Sequence, residues 1–226
     1  MSVWAVIVAA GRGERLGLDR PKAFAKLNGR PLLAESLERL EASEWVDSIV
    51  VAAPPDWEEP VILLAEELGC GKVVAAVPGG ETRAASVRAG LAEVPDDAAV
   101  VLVHDAARPV LTEEVVERLL TTLTEGWDGV VPSLPIADTV KRVDGDQVVE
   151  TVDRDALVIS QTPQAFVWPA LRDAAAGADD ATDCSALVEA RGGRIKVVPG
   201  DPRLVKITDR ADLELVERWL APAPAE

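Results

Sequence analysis

Residues 3–22 constrain this chain more than any other stretch. Val3 to Ala10 is an unbroken apolar run of strand length that carries β-branched residues, as expected of a strand buried on both faces of a parallel sheet. At its end the side chains shrink to Ala9, Ala10 and Gly11, so backbone N–H groups can come close to anionic oxygens. Arg12, Arg15 and Lys22 follow within a few residues. A strand, a glycine turn and three cations predict a site for a triphosphate.

The commoner glycine loops fail on spacing. Gly11, Gly13 and Gly17 stand one residue too far apart for the dinucleotide fingerprint, and the second apolar strand, Ser48 to Ala53, runs into Pro54-Pro55 rather than a ribose-binding acid. No Gly-Lys-Ser/Thr closes the loop, which excludes a kinase-type P-loop. A structural turn with solvated arginines would account for the two glycines but not for the cation cluster or Pro21-Lys22.

Charge makes those cations more telling. The formal net charge is −16 over 226 residues, so nucleic acid and anionic membrane would be repelled, and neither is expected as a partner. A small anionic substrate meets the same field and must be captured by local cations and a divalent metal. Hydrophobic residues make up 48% of the chain, yet no apolar run is long enough to span a bilayer. Residues 1–10 lead straight into the glycine loop and do not read as a signal peptide. Cys70 and Cys184 lie far apart without metal-ligand spacing, which points to the cytoplasm.

Strand and helix patterns alternate along the chain, the signature of an α/β protein with a mostly parallel sheet flanked by helices, in one domain over 1–226. Helices are predicted over 31–43 and 60–68, the latter stopped by Gly69, and strands over 45–53 and 72–77. Gly79-Gly80 is a second glycine turn at a strand end and opens a helix through Leu91, with Thr82 or Ser86 as its cap. Paired glycines also let backbone groups read a base edge. Residues 98–103 form the strongest strand pattern and end in His104-Asp105, where ligands bind in open parallel sheets. A carboxylate there suits Mg²⁺; ion pairing of Asp105 with Arg108 is the structural alternative. His104 reads as a packed or hydrogen-bonding residue.

From Thr139 to Asp153 apolar and polar residues alternate around Asp144-Gly145, the pattern of a β-hairpin with a tight turn. Such an arm, at about 137–154, has little core of its own, so self-association is expected. Gln161-Thr162-Pro163-Gln164 is polar and turn-like and suits a substrate-binding edge. A helix is predicted to open near Asp183, a short strand over 194–199, and a last helix over 212–220 capped by Thr208 or Asp209.

The blocks Ala9-Ala10-Gly11-x-Gly13-x-Arg15-Leu16, Pro21-Lys22, Gly79-Gly80-x-x-Arg83, His104-Asp105-x-x-Arg108-Pro109, Asp138-Thr139-x-Lys141, Asp153-Arg154, Gln161 to Gln164 and Lys206-Ile207-Thr208 are collinear over essentially the whole chain. Together they resemble the 2-C-methyl-D-erythritol 4-phosphate cytidylyltransferase family. The resemblance implies a Rossmann-like nucleotidyltransferase fold with a β-hairpin dimerisation arm. It implies a homodimer that transfers CMP from CTP to methylerythritol phosphate with Mg²⁺ or another divalent cation.

The same resemblance distributes roles. Ala9, Ala10, Gly11, Gly13, Gly80, Glu81 and Ser86 hold the nucleotide, with Arg83 near its phosphates. Arg15 and Lys22 stabilise the transition state, and Asp105 binds the metal. Arg108, Thr139, Arg154, Thr162, Thr182 and Lys206 position substrate, Arg154 from the neighbouring subunit. The chain departs from the family at Cys184, where an acid is common. Two other readings stay open: a cytidylyltransferase for another polyol phosphate such as ribitol 5-phosphate, and a non-catalytic nucleotide-binding regulator.

Overall fold

The computed structural model describes residues 2–176 and 183–221. Its first half runs Val3–Val8 (β1), Lys26–Leu27 (β2), Arg30–Pro31 (β3), Leu32–Ala42 (α1), Ser48–Ala53 (β4), Glu58–Leu68 (α2), Val73–Pro78 (β5), Arg83–Leu91 (α3), Val100–Asp105 (β6) and Glu113–Leu123 (α4). Then follow Gly129–Pro135 (β7), Val140–Asp144 (β8), Gln147–Val152 (β9), Val158–Ser160 (β10), Gln164–Val167 (β11), Trp168–Ala175 (α5), Cys184–Glu189 (α6), Ile195–Pro199 (β12) and Arg210–Leu220 (α7). The expected α/β alternation is present, and the Gly69 stop is a left-handed cap with φ 70°.

β1 lies between β4 and β6, parallel to both, and β5 extends the sheet beyond β4. On the other side β11 runs antiparallel between β6 and β7, while β12 pairs parallel with β7. The chain thus leaves β1 in one direction for β4 and β5 and crosses to the opposite side for β6. That change of direction opens a crevice beyond the carboxyl ends of β1 and β6, where Val8 stands in register with Asp105.

Both faces of β1 are buried, which explains its continuous apolar sequence. Ala5 and Ile7 join α1, α2 and α4 in one core layer, whereas Val6 joins α3, α5 and α6 in the other. Gly90 lets α3 lie against β1, since a Cβ there would come within 2.4 Å of Val6. A smaller cluster of Leu27, Leu32, Val110, Ile207 and Val216 seats α7 beside β2 and β3.

The β8–β9 hairpin forms a sheet of its own and is exposed along nearly its whole length, with Gly145 at φ 58° in its turn. Gln161, Thr162 and Gln164, expected to be turn-like at a substrate-binding edge, are buried, and Gln164 begins β11 rather than lying in a turn. Asp105 pairs with Arg83 and Lys206; the Arg108 guanidinium turns instead to the carbonyls of Leu204 and Ser160.

Candidate functional site

The crevice at the end of β1 and β6 is a cavity of about 820 Å³. Ala9, Ala10, Gly11 and Lys22 from the first loop line it, with Gly80, Glu81, Arg83 and Ser86 from the second, Asp105 from β6, and Lys206. The two glycine loops touch. A Cβ on Gly79 would sit 2.4 Å from that of Ala10 and 3.0 Å from the Ala53 carbonyl. The second loop is braced from within: Ser86 Oγ accepts from Gly80 N at 3.1 Å and donates to the Thr82 carbonyl at 3.0 Å. Thr82 Oγ1 caps α3 by accepting from Ala85 N, so the capping role weighed from sequence falls to Thr82.

Gly13 and Arg15 lie outside the lining. Gly13 has φ 70°, and any Cβ would come within 2.8 Å of Lys22 Cβ, so glycine at this position is what lets Lys22 fold back against the loop. Arg15 is exposed on the short 3-10 turn Glu14–Leu16 and reaches Lys22 through its charge. Lys22 is held mainly by its backbone, its N–H donating to the Gly11 carbonyl at 3.3 Å.

Asp105 is the electrostatic centre of the site. Arg83 Nε donates to Asp105 Oδ1 at 3.0 Å, and Lys206 Nζ donates to Oδ2 at 2.7 Å. Burial by itself would raise the pKa of this carboxyl, but the two cations outweigh it and bring the value down to about 2. Asp105 is therefore ionised across the physiological range. Its backbone is fixed as well. Asp105 N donates to Thr162 Oγ1 at 3.0 Å, and that hydroxyl lies 3.3 Å from His104 Nδ1. His104 Nε2 stands 3.2 Å from the Arg108 carbonyl, which can only accept, so Nε2 carries the proton and Nδ1 accepts from Thr162. Complete burial drops the His104 pKa to about 4 and keeps the ring neutral. Thr162 thus stands behind Asp105 and acts through its backbone.

The Lys22 pKa is lowered to about 8, first by burial and then by repulsion from Lys206. Lys22, Lys206 and Arg83 surround Asp105, and Arg12 lines the same cavity, which also carries Glu14 and Glu81; the four cations outnumber the three carboxylates, a balance suited to a polyphosphate. Arg12 is one of the three cations read from sequence; Pro54 and Pro55, which were not singled out as site residues, line the cavity too. The Pro-Pro pair marked the missing ribose acid; its place at the end of β4 was the signal that it forms a wall. Thr139 and Arg154 are exposed on the hairpin side and do not line the cavity of their own chain; Arg154 donates to the Ala137 carbonyl. Arg108 is turned from the cavity toward Leu204, and Thr182 lies outside the described residues. Cys184 is buried beside Arg83, with Sγ 3.8 Å from its Nη1, and burial pushes the thiol up to about 11. The position thus carries a neutral contact to the arginine.

Comparison with known proteins agrees with the geometry. The family model described as IspD, 2-C-methyl-D-erythritol 4-phosphate cytidylyltransferase, matches residues 3–221. A protein of that description from Saccharopolyspora erythraea is 48% identical over 226 residues, covering 98% of this chain and 100% of its own. One from Frankia casuarinae is 46% identical over 221 residues, covering 97% and 81%. Among solved structures, the 4-diphosphocytidyl-2C-methyl-D-erythritol synthase of Anaerococcus prevotii superposes with a TM-score of 0.83 at 29% identity, over 97% of this chain and 98% of its own. The Thermus thermophilus 2-C-methyl-D-erythritol 4-phosphate cytidylyltransferase gives 0.79 at 33% identity, over 97% and 98%.

Lys22 carries a prediction about pH. Its free pKa is about 8 and a bound triphosphate favours the ammonium form, so binding takes up a proton near and above that pH. Affinity for a nucleoside triphosphate is then full below pH 8 and falls as pH rises through it, by at most about tenfold per unit. Calorimetry between pH 7.5 and 9.5 in buffers of different ionisation heat measures both effects. Lys22→Ala should flatten the profile; a flat wild-type profile or net proton release would contradict the assignment.

Proposed function

The chain belongs to the 2-C-methyl-D-erythritol 4-phosphate cytidylyltransferase family, and from that premise we infer that it transfers CMP from CTP to 2-C-methyl-D-erythritol 4-phosphate. The products are 4-diphosphocytidyl-2-C-methyl-D-erythritol and pyrophosphate, in the non-mevalonate route to isoprenoid precursors. The observation that carries the reading is the convergence of Lys22, Arg83 and Lys206 on an ionised Asp105 at the sheet's crossover crevice. A phosphate oxygen of the acceptor attacks the α-phosphorus of CTP as the bond to the β-phosphate oxygen breaks, and pyrophosphate leaves. That oxygen is already ionised, so no general base is required. Catalysis is alignment and charge stabilisation. Lys22 supplies positive charge where the α-phosphate develops negative charge, Arg15 adds to that field from the adjoining turn, and Lys206 holds the acceptor side.

The base is read by backbone. Gly80 and Glu81 line the cavity wall, and Ser86 stiffens the turn that carries them by bonding to the Gly80 N–H and the Thr82 carbonyl. Cytosine has an exocyclic amine that can donate where uracil can only accept, so a main-chain carbonyl distinguishes the two.

A divalent cation, Mg²⁺ in the first instance, fits this donor set. Among the described residues no group of three or more His, Cys, Asp or Glu side chains is able to hold a metal ion. Mg²⁺ typically takes one or two carboxylates together with substrate phosphates and water. Asp105, ionised and facing the cavity, is the residue that would hold it. The ion would spread the charge of the triphosphate and the departing pyrophosphate.

The working unit is a homodimer in which the hairpin arm crosses to the partner. Val143, Val148 and Val149 on the arm and Val158 and Ile159 on β10 are each about half exposed, an apolar surface that a second copy would cover. Arg154 follows the arm and is absent from its own cavity lining, which supports its service in the partner's site. The cytoplasm suits a chain whose two cysteines are free and buried. Among the described residues no helix is long and apolar enough to cross a membrane.

Two experiments follow. With CTP labelled at the α-phosphorus and methylerythritol phosphate as acceptor, label should enter the sugar product with matching pyrophosphate release. UTP should be slower by roughly 10- to 100-fold, the range for one unmade buried hydrogen bond. Equal use of UTP, or no release, would overturn the reading. For the shared site, Lys22→Ala and Arg154→Ala chains, each inactive alone, are unfolded together and refolded in equal amounts. Random pairing makes half the dimers mixed with one intact site each, so activity should return to about a quarter of wild type. No recovery in a mixture shown to contain mixed dimers would place Arg154 in its own chain.

A further inference from the structure

Asp212 stands in the first turn of α7 and completes a capping box there. Its N–H donates to Asp209 Oδ1 at 3.0 Å, and Asp209 N donates back to Asp212 Oδ2 at 3.2 Å. Capping the helix requires only that exchange. Yet the same Oδ2 also accepts from Thr208 N at 2.7 Å and from Thr208 Oγ1 at 2.5 Å. Those two bonds reach out of the helix into the segment that carries Lys206, two residues earlier. Ile207 between them is fully buried, and its N–H donates to the Ala107 carbonyl at 2.8 Å on the loop after β6.

The segment 206–208 is therefore pinned at the two residues that directly follow Lys206: Ile207 to the β6 loop and Thr208 to Asp212. The need for such pinning is physical. The Lys206 side chain is 42% exposed, long and rich in rotamers, so its 2.7 Å contact with Asp105 depends on where its backbone begins. Asp212 makes no hydrogen bond or ion pair to Asp105 and does not line the cavity, and its charge reaches Lys22 only as a weak counter-charge.

We propose that Asp212 is a positioning residue for the transfer reaction: its carboxylate locks Thr208 and thereby fixes the point at which Lys206 meets Asp105. The proposal rests on the reading of this cavity as a CMP-transfer site. It separates two jobs that one side chain performs, holding a helix end and aiming a lysine.

A double-mutant cycle separates those jobs. Asp212→Asn should lower kcat/KM for methylerythritol phosphate about tenfold. In a Lys206→Ala background the same change should matter less than twofold, because the group it aims is gone. Asp209→Ala removes the other half of the cap while leaving Thr208 bonded to Asp212. It should lower the melting temperature to a similar extent as Asp212→Asn, yet keep kcat/KM within twofold of wild type. Thr208→Val, which deletes one of the two Thr208 bonds, should fall between and keeps the test open if Asp212→Asn folds poorly. Equal losses of activity in Asp209→Ala and Asp212→Asn, or an Asp212→Asn loss that persists without Lys206, would reduce Asp212 to a helix cap and overturn the proposal. If wild-type protein transfers no CMP, the functional reading fails instead, and the same cycle is then scored on CTP affinity, with the same pattern expected and the same results contradicting it.

Discussion

The site depends on one carboxylate held between two cations. Asp105 is nearly buried, and its oxygens are taken by Arg83 and Lys206 at 3.0 and 2.7 Å. Each member would be costly in the interior without the others, since breaking a buried ion pair from one side typically costs about 3–5 kcal/mol. Partial exposure of Lys206 reduces that figure for its half of the arrangement. What remains is a preformed anion trap. Cations from α3 and from the segment before α7 are held at the crevice by a residue at the end of β6, and Lys22 approaches from the first loop with its charge already weakened by burial and repulsion.

Why Asp105 stays in place follows from the layer behind it. A neutral His104, a Thr162 hydroxyl and the Asp105 N–H form a chain of hydrogen bonds whose polarity is set at one end by the Arg108 carbonyl. Gln161 and Gln164 fasten the same strand break to neighbours, Gln161 to Asp201 and Gln164 to Asp183 and the N–H of Cys184. Polar residues that read as a ligand-facing edge in sequence thus bond to backbone and side chains of the protein at a place where β10 gives way to β11. A buried polar group needs a partner, and at this strand break most of the partners are protein.

Much of this was legible from local pattern. The run Val3 to Ala10 shows a strand buried on both faces, Gly69 ends α2, Asp144-Gly145 turns the hairpin, and the glycine loop with Lys22 marks the cavity. These signals lie within a few residues of what they specify. The charge balance was not legible. Arg83 and Lys206 stand 22 and 101 positions from Asp105, whereas Arg108, only three away, is drawn off by the Leu204 carbonyl. The Asp105–Arg108 pairing weighed as the structural alternative rested on proximity alone, which carries no information on which side of the sheet a side chain leaves. Asp212 was hidden for a related reason: its cap pattern is local, but its consequence for Lys206 exists only once α7 packs under Ile207.

On the CMP-transfer reading, Asp105 supplies to Arg83 and Lys206 the negative charge that a substrate phosphate brings. Thermal unfolding of Asp105→Asn, in buffer free of phosphate and divalent metal, tests it most directly. Leaving Arg83 and Lys206 without their counter-charge should lower the melting temperature by roughly 5–10 °C, and CTP should then raise it by more than it raises that of the wild type, because the triphosphate supplies the missing negative charge. A variant that melts with the wild type, or that gains no more from CTP than the wild type does, would contradict the account.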